Sequence, residues 1–257
     1  MMKSCDVLIV GGGPSGSSLA WRLRDSGMDV MLIDKKAFPR DKVCAGWITP
    51  PIIEALQLDL GDYSREHVLQ PISGFNVRRI GNKENRIRYS DGPVSYGIRR
   101  CEFDHYLLDR CGISPVTDTP VRTLERRQGY WLVNDVIKTP MLVGAGGHFC
   151  PVARYLGANP GLSELAVAAQ EIEFRMNPEQ LAACNVEGQI PELYFCEDLK
   201  GYGWIFRKGE YLNIGLGRED QHGLSRHVAE FCRYLETLGK LPPAVSEKFK
   251  GHAYLLY

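Results

Sequence analysis

The sequence predicts an α/β fold, a Rossmann-type parallel-sheet domain interwoven with an antiparallel-sheet domain, and three observations predict it. A short, almost wholly apolar run, "CDVLIV" (5–10), opens directly into the glycine turn "GGGPSG". A helical pattern and a second apolar run, "DVMLI" (29–33), follow it and end on Asp34. Beyond residue 160 the chain changes to alternating segments of strand length with turn residues between them.

The first run has the composition of a strand buried on both faces. In "SSLAWRLRDSG" Leu19, Ala20 and Leu23 share a helical face, and Gly27 suits a C-terminal cap. Strand, glycine turn, helix, strand and acid in that order form a dinucleotide site with a task for each part. Gly11 permits the tight turn, Gly13 lets the backbone approach a pyrophosphate, and Gly16 lets helix and strand pack closely. The helix N-terminus turns unpaired amides and a positive dipole end toward the phosphates. Asp34, 18 residues after Gly16, is placed to accept a hydrogen bond from a ribose. The motif leaves NAD and FAD both open.

From about residue 66, "ISGFNVRRI", "NRIRYS" and "PVSYGI" read as strands. "RRCEFDHYLLDRCG" (99–112) reads as a helix with Phe103, Tyr106, Leu107 and Cys111 on one side. "YWLVND" and "VIKTP" read as a hairpin, and "MLVGAGG" (141–147) as the last parallel strand of the first domain. "AVAAQEIEFRM", "PELYFCE", "GYGWIF" and "EYLNIGLG" are the later strands, with Arg207, Lys208, Gly209 and Glu210 at a hairpin tip. Residues 222–239 read as a helix carrying Val228, Phe231, Cys232 and Leu235 on one face. The domains are expected at 1–65 with 99–160, and at 66–98 with 161–257.

The totals exclude several function classes. Lys+Arg and Asp+Glu both number 31 in 257 residues, so no basic field recommends nucleic acid. The pairs Arg78–Arg79, Arg99–Arg100 and Arg126–Arg127 read as solvated faces. The 8 cysteines are scattered without a Cys-x-x-Cys pair, and the 6 histidines show no ligand spacing, which argues against a metal and for a reducing cytosol. The apolar start is broken by glycines and a proline, unlike a signal peptide or a membrane span. A cytoplasmic protein is expected.

Four segments together resemble the geranylgeranyl-reductase branch of the FAD-dependent oxidoreductases, relatives of the aromatic-ring hydroxylases. They are "GGGPSG" with Asp34-Lys35, "PRDKVCAG", "RRCEFDHYLL" and "GYGWIFRKGEYLNIGLG". Arg207 stands where the family usually has proline, and Gly146 in "GAGGHFCPVAR" where it has an acid. The family's later Gly-Asp-Ala-Ala-Gly turn does not occur, from which a chain truncated at the C-terminus is expected. The resemblance implies FAD on a glutathione-reductase-like domain. Gly11, Gly13, Ser15 and Gly16 would face the pyrophosphate and Asp34 the ribose, with Lys35 beside it also binding the cofactor and Arg100 reaching it from the start of its helix. Val121, on a short strand in "DTPVRTL", would present backbone atoms to the adenine.

The same resemblance brings the Cys-x-Gly loop near the flavin ring, with Gly46 permitting close approach and Cys44 as the catalytic residue at the edge of the substrate cavity. A buried, inert Cys44 is the competing reading. Tyr202, Trp204 and Phe206 alternate along one strand and so share a face, either as an apolar substrate wall or as a core stripe beneath a helix. Lys208, Glu210 and Arg218 read as surface charges, and His105 and His148 have no partner at a motif spacing. The implied activity is reduction of carbon–carbon double bonds in a prenyl or other apolar small molecule. NAD(P)H would be one electron donor, and peripheral membrane contact would follow from a prenyl-lipid substrate. A flavin hydroxylase and a non-catalytic FAD-binding remnant are the alternatives.

Overall fold

The computed structural model describes residues 2–158, 166–219, 223–241 and 248–255. The chain forms two compact units, one of residues 2–41 and 101–158, the other of 42–100 and 166–255.

The first unit is built on a three-stranded parallel sheet in the order Met141–Gly144, Val7–Val10, Val30–Ile33. All four residues of Val7–Val10 are buried, because both faces of the strand are covered. Val7 and Ile9 pack with Ala20, Trp21, Leu32, Leu108 and Cys111. Leu8 and Val10 pack on the other side with Ile33, Val133, Ile137, Cys150 and Val152. The helix Pro14–Leu23 follows the glycine turn with proline at its first position, where the missing N–H costs nothing. Tyr130–Val133 and Ile137–Thr139 pair antiparallel, as the hairpin reading expects.

The second unit carries a seven-stranded sheet. Its order is Lys250–Leu255, Ala166–Arg175, Tyr211–Arg218, Gly201–Lys208, Glu192–Phe195, Gly74–Arg79, Asn85–Arg88. All pairs are antiparallel except Glu192–Phe195 with Gly74–Arg79, which run parallel. One face is apolar, with Ile172, Phe174, Ile205, Leu212, Ile214 and Leu216 clustered against Val228, Phe231 and Leu235 of the helix Leu224–Thr237. That helix starts two residues later than its sequence pattern, and His222 lies outside the described residues. The opposite face holds Trp204 and Phe206 with Ile72 and Ala169.

Residues 42–65, grouped from the sequence with the nucleotide domain, stand in the second unit. Trp47–Ile48 and Leu69–Ile72 flank Ser95–Ile98 in a small antiparallel sheet, and the short helices Pro50–Leu56 and Leu60–Glu66 connect them. The crossing expected at residue 160 lies outside the described residues. No helix among the described residues is long and apolar enough to cross a membrane.

Candidate functional site

The glycine turn of the first unit is assembled as its spacing predicts. Gly11 has φ +115, and a side chain there would collide with the backbone of Ala145. A side chain on Gly16 would collide with Gly11 itself, so helix and turn touch backbone to backbone. A Cβ on Gly13 meets only an Arg40 nitrogen, at 3.9 Å, which leaves the mouth of the turn open. Ser15 stands exposed in the first turn of the helix, where backbone N–H groups have no intrahelical acceptor.

Asp34 is buried beneath this turn. One carboxylate oxygen accepts from Gly12 N–H at 2.7 Å, and the other from Lys36 N–H at 2.9 Å. Arg40 Nη2 lies 3.4 Å from the first of these oxygens. The acid therefore shapes the turn as well as offering lone pairs beyond it. Lys35 is exposed. The Arg40 guanidinium stacks on Phe38 at 4.5 Å, and its buried Nε has no hydrogen-bond acceptor among the described residues. An open glycine cradle, a buried acid and a cation with an unanswered donor fit a dinucleotide pyrophosphate.

Arg100 opens the helix Arg100–Asp109 and is partly buried. Val121 is not on a strand, because the strand begins at Leu124. Pro120 has no N–H to give to a ladder, and the Asn134 side chain accepts from Arg122 N–H at 2.7 Å and from Thr123 N–H at 3.3 Å. Those two amides are thereby taken up in a loop, against which Val121 packs on the core.

The Cys44–Gly46 loop belongs to the second unit. Gly46 has φ +71, and a side chain there would collide with the Ile98 carbonyl, so only glycine fits. Lys208 holds both halves of the contact: its Nζ donates to Ala45 O at 3.0 Å and to Ile98 O at 2.9 Å, and pairs with Glu173. The lysine read as a surface charge has 0% exposure. Its three donors have three acceptors, which is the condition for burying an ammonium. Arg218 is likewise buried, with a two-pronged bond to Asp198 at 3.2 and 2.7 Å. Only Glu210 is on the surface, paired with Arg175. Arg99 is not a solvated cation either: it lies 3.8 Å over the Tyr211 ring and bonds Glu173 at 3.3 Å.

A buried acid missing from the sequence reading completes the loop's support. Cys44 N–H donates to Glu171, which is 5% exposed. Burial pushes the Glu171 carboxyl up to about 7, against the opposing pull of the Cys44 N–H and Lys208. Asn213 Nδ2 reaches Glu171 at 3.5 Å and Glu173 at 3.4 Å, and its oxygen accepts from Trp204 Nε1 at 2.7 Å. Cys44 is half-buried, and its Sγ accepts from Gly46 N–H at 3.5 Å. The available signal was two acids, Glu171 and Glu173, alternating with Ile172 and Phe174 in one strand.

Tyr202, Trp204 and Phe206 do share a face, and it is the face turned from the helix Leu224–Thr237. Trp204 and Phe206 are 6% and 1% exposed, closed over by Trp47, Phe75, Ala45 and Leu193. Trp47 stacks on Phe75 at 4.9 Å and lies 5.2 Å from Phe206. Phe206 is thus a core residue, and the stripe opens only at Tyr202, which is 38% exposed. Among the described residues no group of acids, histidines and cysteines is arranged to hold a metal.

Comparison with known proteins gives these features a context. The family model described as an FAD binding domain matches residues 4–90. A digeranylgeranylglycerophospholipid reductase from Methanocaldococcus jannaschii is 29% identical over 95% of this chain and 63% of its own length. A menaquinone reductase from Mycobacterium tuberculosis is 29% identical over 83% of this chain and 55% of its own. The chain thus spans between half and two thirds of these curated relatives. The crystal structure of a geranylgeranyl bacteriochlorophyll reductase-like protein from Thermoplasma acidophilum superposes with a TM-score of 0.78 at 18% identity, over 99% of this chain and 67% of that one. The resemblance to geranylgeranyl-reductase flavoproteins stands, the fold is theirs, and the family model that spans the glycine turn is that of an FAD binding domain.

Proposed function

We propose that the protein is an FAD-dependent oxidoreductase that reduces carbon–carbon double bonds in a prenyl chain or another apolar substrate. The observation that carries this reading is the investment of buried polar groups in one short loop. Glu171 accepts from Cys44 N–H, Lys208 donates to Ala45 O, and Glu173 pairs with that lysine, so two buried charged side chains hold the backbone at 44–45 directly and a third supports one of them. The two relatives named as reductases support the same chemistry.

When bound, FAD supplies the hydride, having been reduced by NAD(P)H or a protein donor. The chain's own residues bind and orient. Gly13, Ser15 and the helix N-terminus take the pyrophosphate, Arg40 adds positive charge beside it, and Asp34 takes the ribose. Gly46, packed against the Ile98 carbonyl, holds the loop that presents Cys44, and Cys44 would give a proton to the carbon that does not receive hydride. Tyr202, where the aromatic stripe opens, presents an apolar face to the substrate, and a prenyl-lipid substrate would bring the protein to a membrane surface.

The test begins with the visible spectrum of the protein after FAD is added and the sample desalted. Retained flavin bands, followed by anaerobic addition of two hydrogens to a prenyl substrate, are expected. Cys44→Ser should keep the flavin and slow that reduction by about 10²-fold or more, the scale of one positioned proton donor. A colourless protein would sink the reading, and substrate-dependent oxygen uptake would move the chemistry to hydroxylation.

A further inference from the structure

We propose that Glu171 is a positioning residue whose carboxylate, through the backbone N–H of Cys44, sets the loop that presents Cys44 and Gly46. The inference rests on the reductase reading for its purpose, and on geometry for its substance. Glu171 lies on Ala166–Arg175, 127 residues from Cys44 in sequence, yet accepts that one amide directly. Its second oxygen is met by Asn213, which Trp204 orients in turn. Both carboxylate oxygens therefore face donors, an arrangement that suits the ionised form and leaves a proton on either oxygen without an acceptor.

Burial works against that ionised form and brings the carboxyl's titration to about 7. The groups around it come from every neighbouring element. Glu173 on the same strand opposes ionisation and Lys208 on Gly201–Lys208 favours it. Asn213 donates from Tyr211–Arg218, and Lys250 stands directly across on Lys250–Leu255. The loop's own start is tied by Lys42 to His252 at 3.1 Å. Ionised, Glu171 holds the amide by a charge-assisted bond; protonated, it offers a weaker neutral acceptor. Cys44 is consequently held most firmly above neutrality and loosened below it.

Hydrogen exchange at the Cys44 amide in the full chain tests this directly. The protection factor, corrected for the intrinsic pH dependence of exchange, should rise about tenfold between roughly pH 6 and roughly pH 8, the difference between an ionised and a neutral acceptor. Glu171→Gln keeps an oxygen acceptor without a titration and should give a flat profile. A flat profile in the unaltered protein overturns the proposal. A rise that persists in Glu171→Gln overturns it as well, and assigns the step to another group such as His252. In the reductase assay the same variant should change kcat and its pH dependence while leaving KM near its original value. If the exchange profiles behave as expected and neither protein reduces a prenyl substrate, the clamp stands and the reductase reading falls.

Discussion

Carrying Glu171 as an anion costs the fold stability, and the sign of its shift says where. Below the ordinary carboxyl value of 4.5 both folded and unfolded states hold the proton. As pH climbs from there through about 7, the unfolded chain has already ionised while the folded one must place a charge inside the sheet. Stability contributed at low pH is lost across that window. Glu171→Gln should therefore be more stable than the original protein at pH 8, by up to about 3 kcal/mol, with the gap closing as pH falls toward 5. Urea unfolding at several pH values checks this, and equal stability throughout would mean that the carboxyl is not desolvated. A residue that destabilises the fold and is nevertheless bonded at both oxygens, by Cys44 N–H and Asn213, fits a functional rather than a structural role. None of this could be read from the sequence. Whether a glutamate or lysine in a strand is solvated depends on which distant segment covers it, and the segment that covers Glu171 and Lys208 is the 44–46 loop.

The elements themselves were legible in proportion to how local their causes are. The turn "GGGPSG", the helix after it and the strand leading to Asp34 are fixed by neighbours within one supersecondary unit and formed in that order, although the helix ends at Leu23 with Arg24 as its cap rather than at Gly27. The same holds for the hairpin of Gly201–Lys208 and Tyr211–Arg218, whose turn is the Gly209-Glu210 pair. The small sheet around Ser95–Ile98 was not legible, since Trp47–Ile48 has only two strand residues and its partner lies some fifty positions away. Neither was the loop at Val121, which depends on a side chain thirteen residues downstream. The hairpin's own test is Lys208→Met. It removes three bonds at once and leaves the Ala45 and Ile98 carbonyls and Glu173 unanswered. It should cost about 3–5 kcal/mol, the range for breaking a buried ion pair from one side. The urea midpoint reads it; a loss under about 1 kcal/mol would return Lys208 to the surface role first given to it.

At the scale of the whole molecule the chain joins two units with separate cores, each made from two stretches of sequence. The interweaving was visible as a change of character along the chain, but the first crossing falls at Asp41 rather than near residue 66. On the proposed site, FAD bound to the folded first unit and not to the unfolded chain stabilises by mass action. At about 100 times its dissociation constant the gain should be about 2.7 kcal/mol. Asp34→Ala removes the bond to Gly12 N–H and the proposed ribose acceptor, and should erase most of that gain by weakening binding by about 1.5–3 kcal/mol. Melting with and without FAD measures both quantities. An undiminished FAD-dependent shift in the variant would mean that Asp34 only shapes the turn.

Trp204 and Gly215 are paired directly across two strands, and the absence of a side chain at 215 is what lets the indole lie flat against the sheet. From that ring a rigid series of contacts runs through Asn213 and Glu171 to the Cys44 amide. A glycine with no chemistry of its own thus becomes the far end of a lever. Diversifying position 215 would tilt the indole, slacken the amide bond at Cys44 and retune a loop the mutated residue never touches.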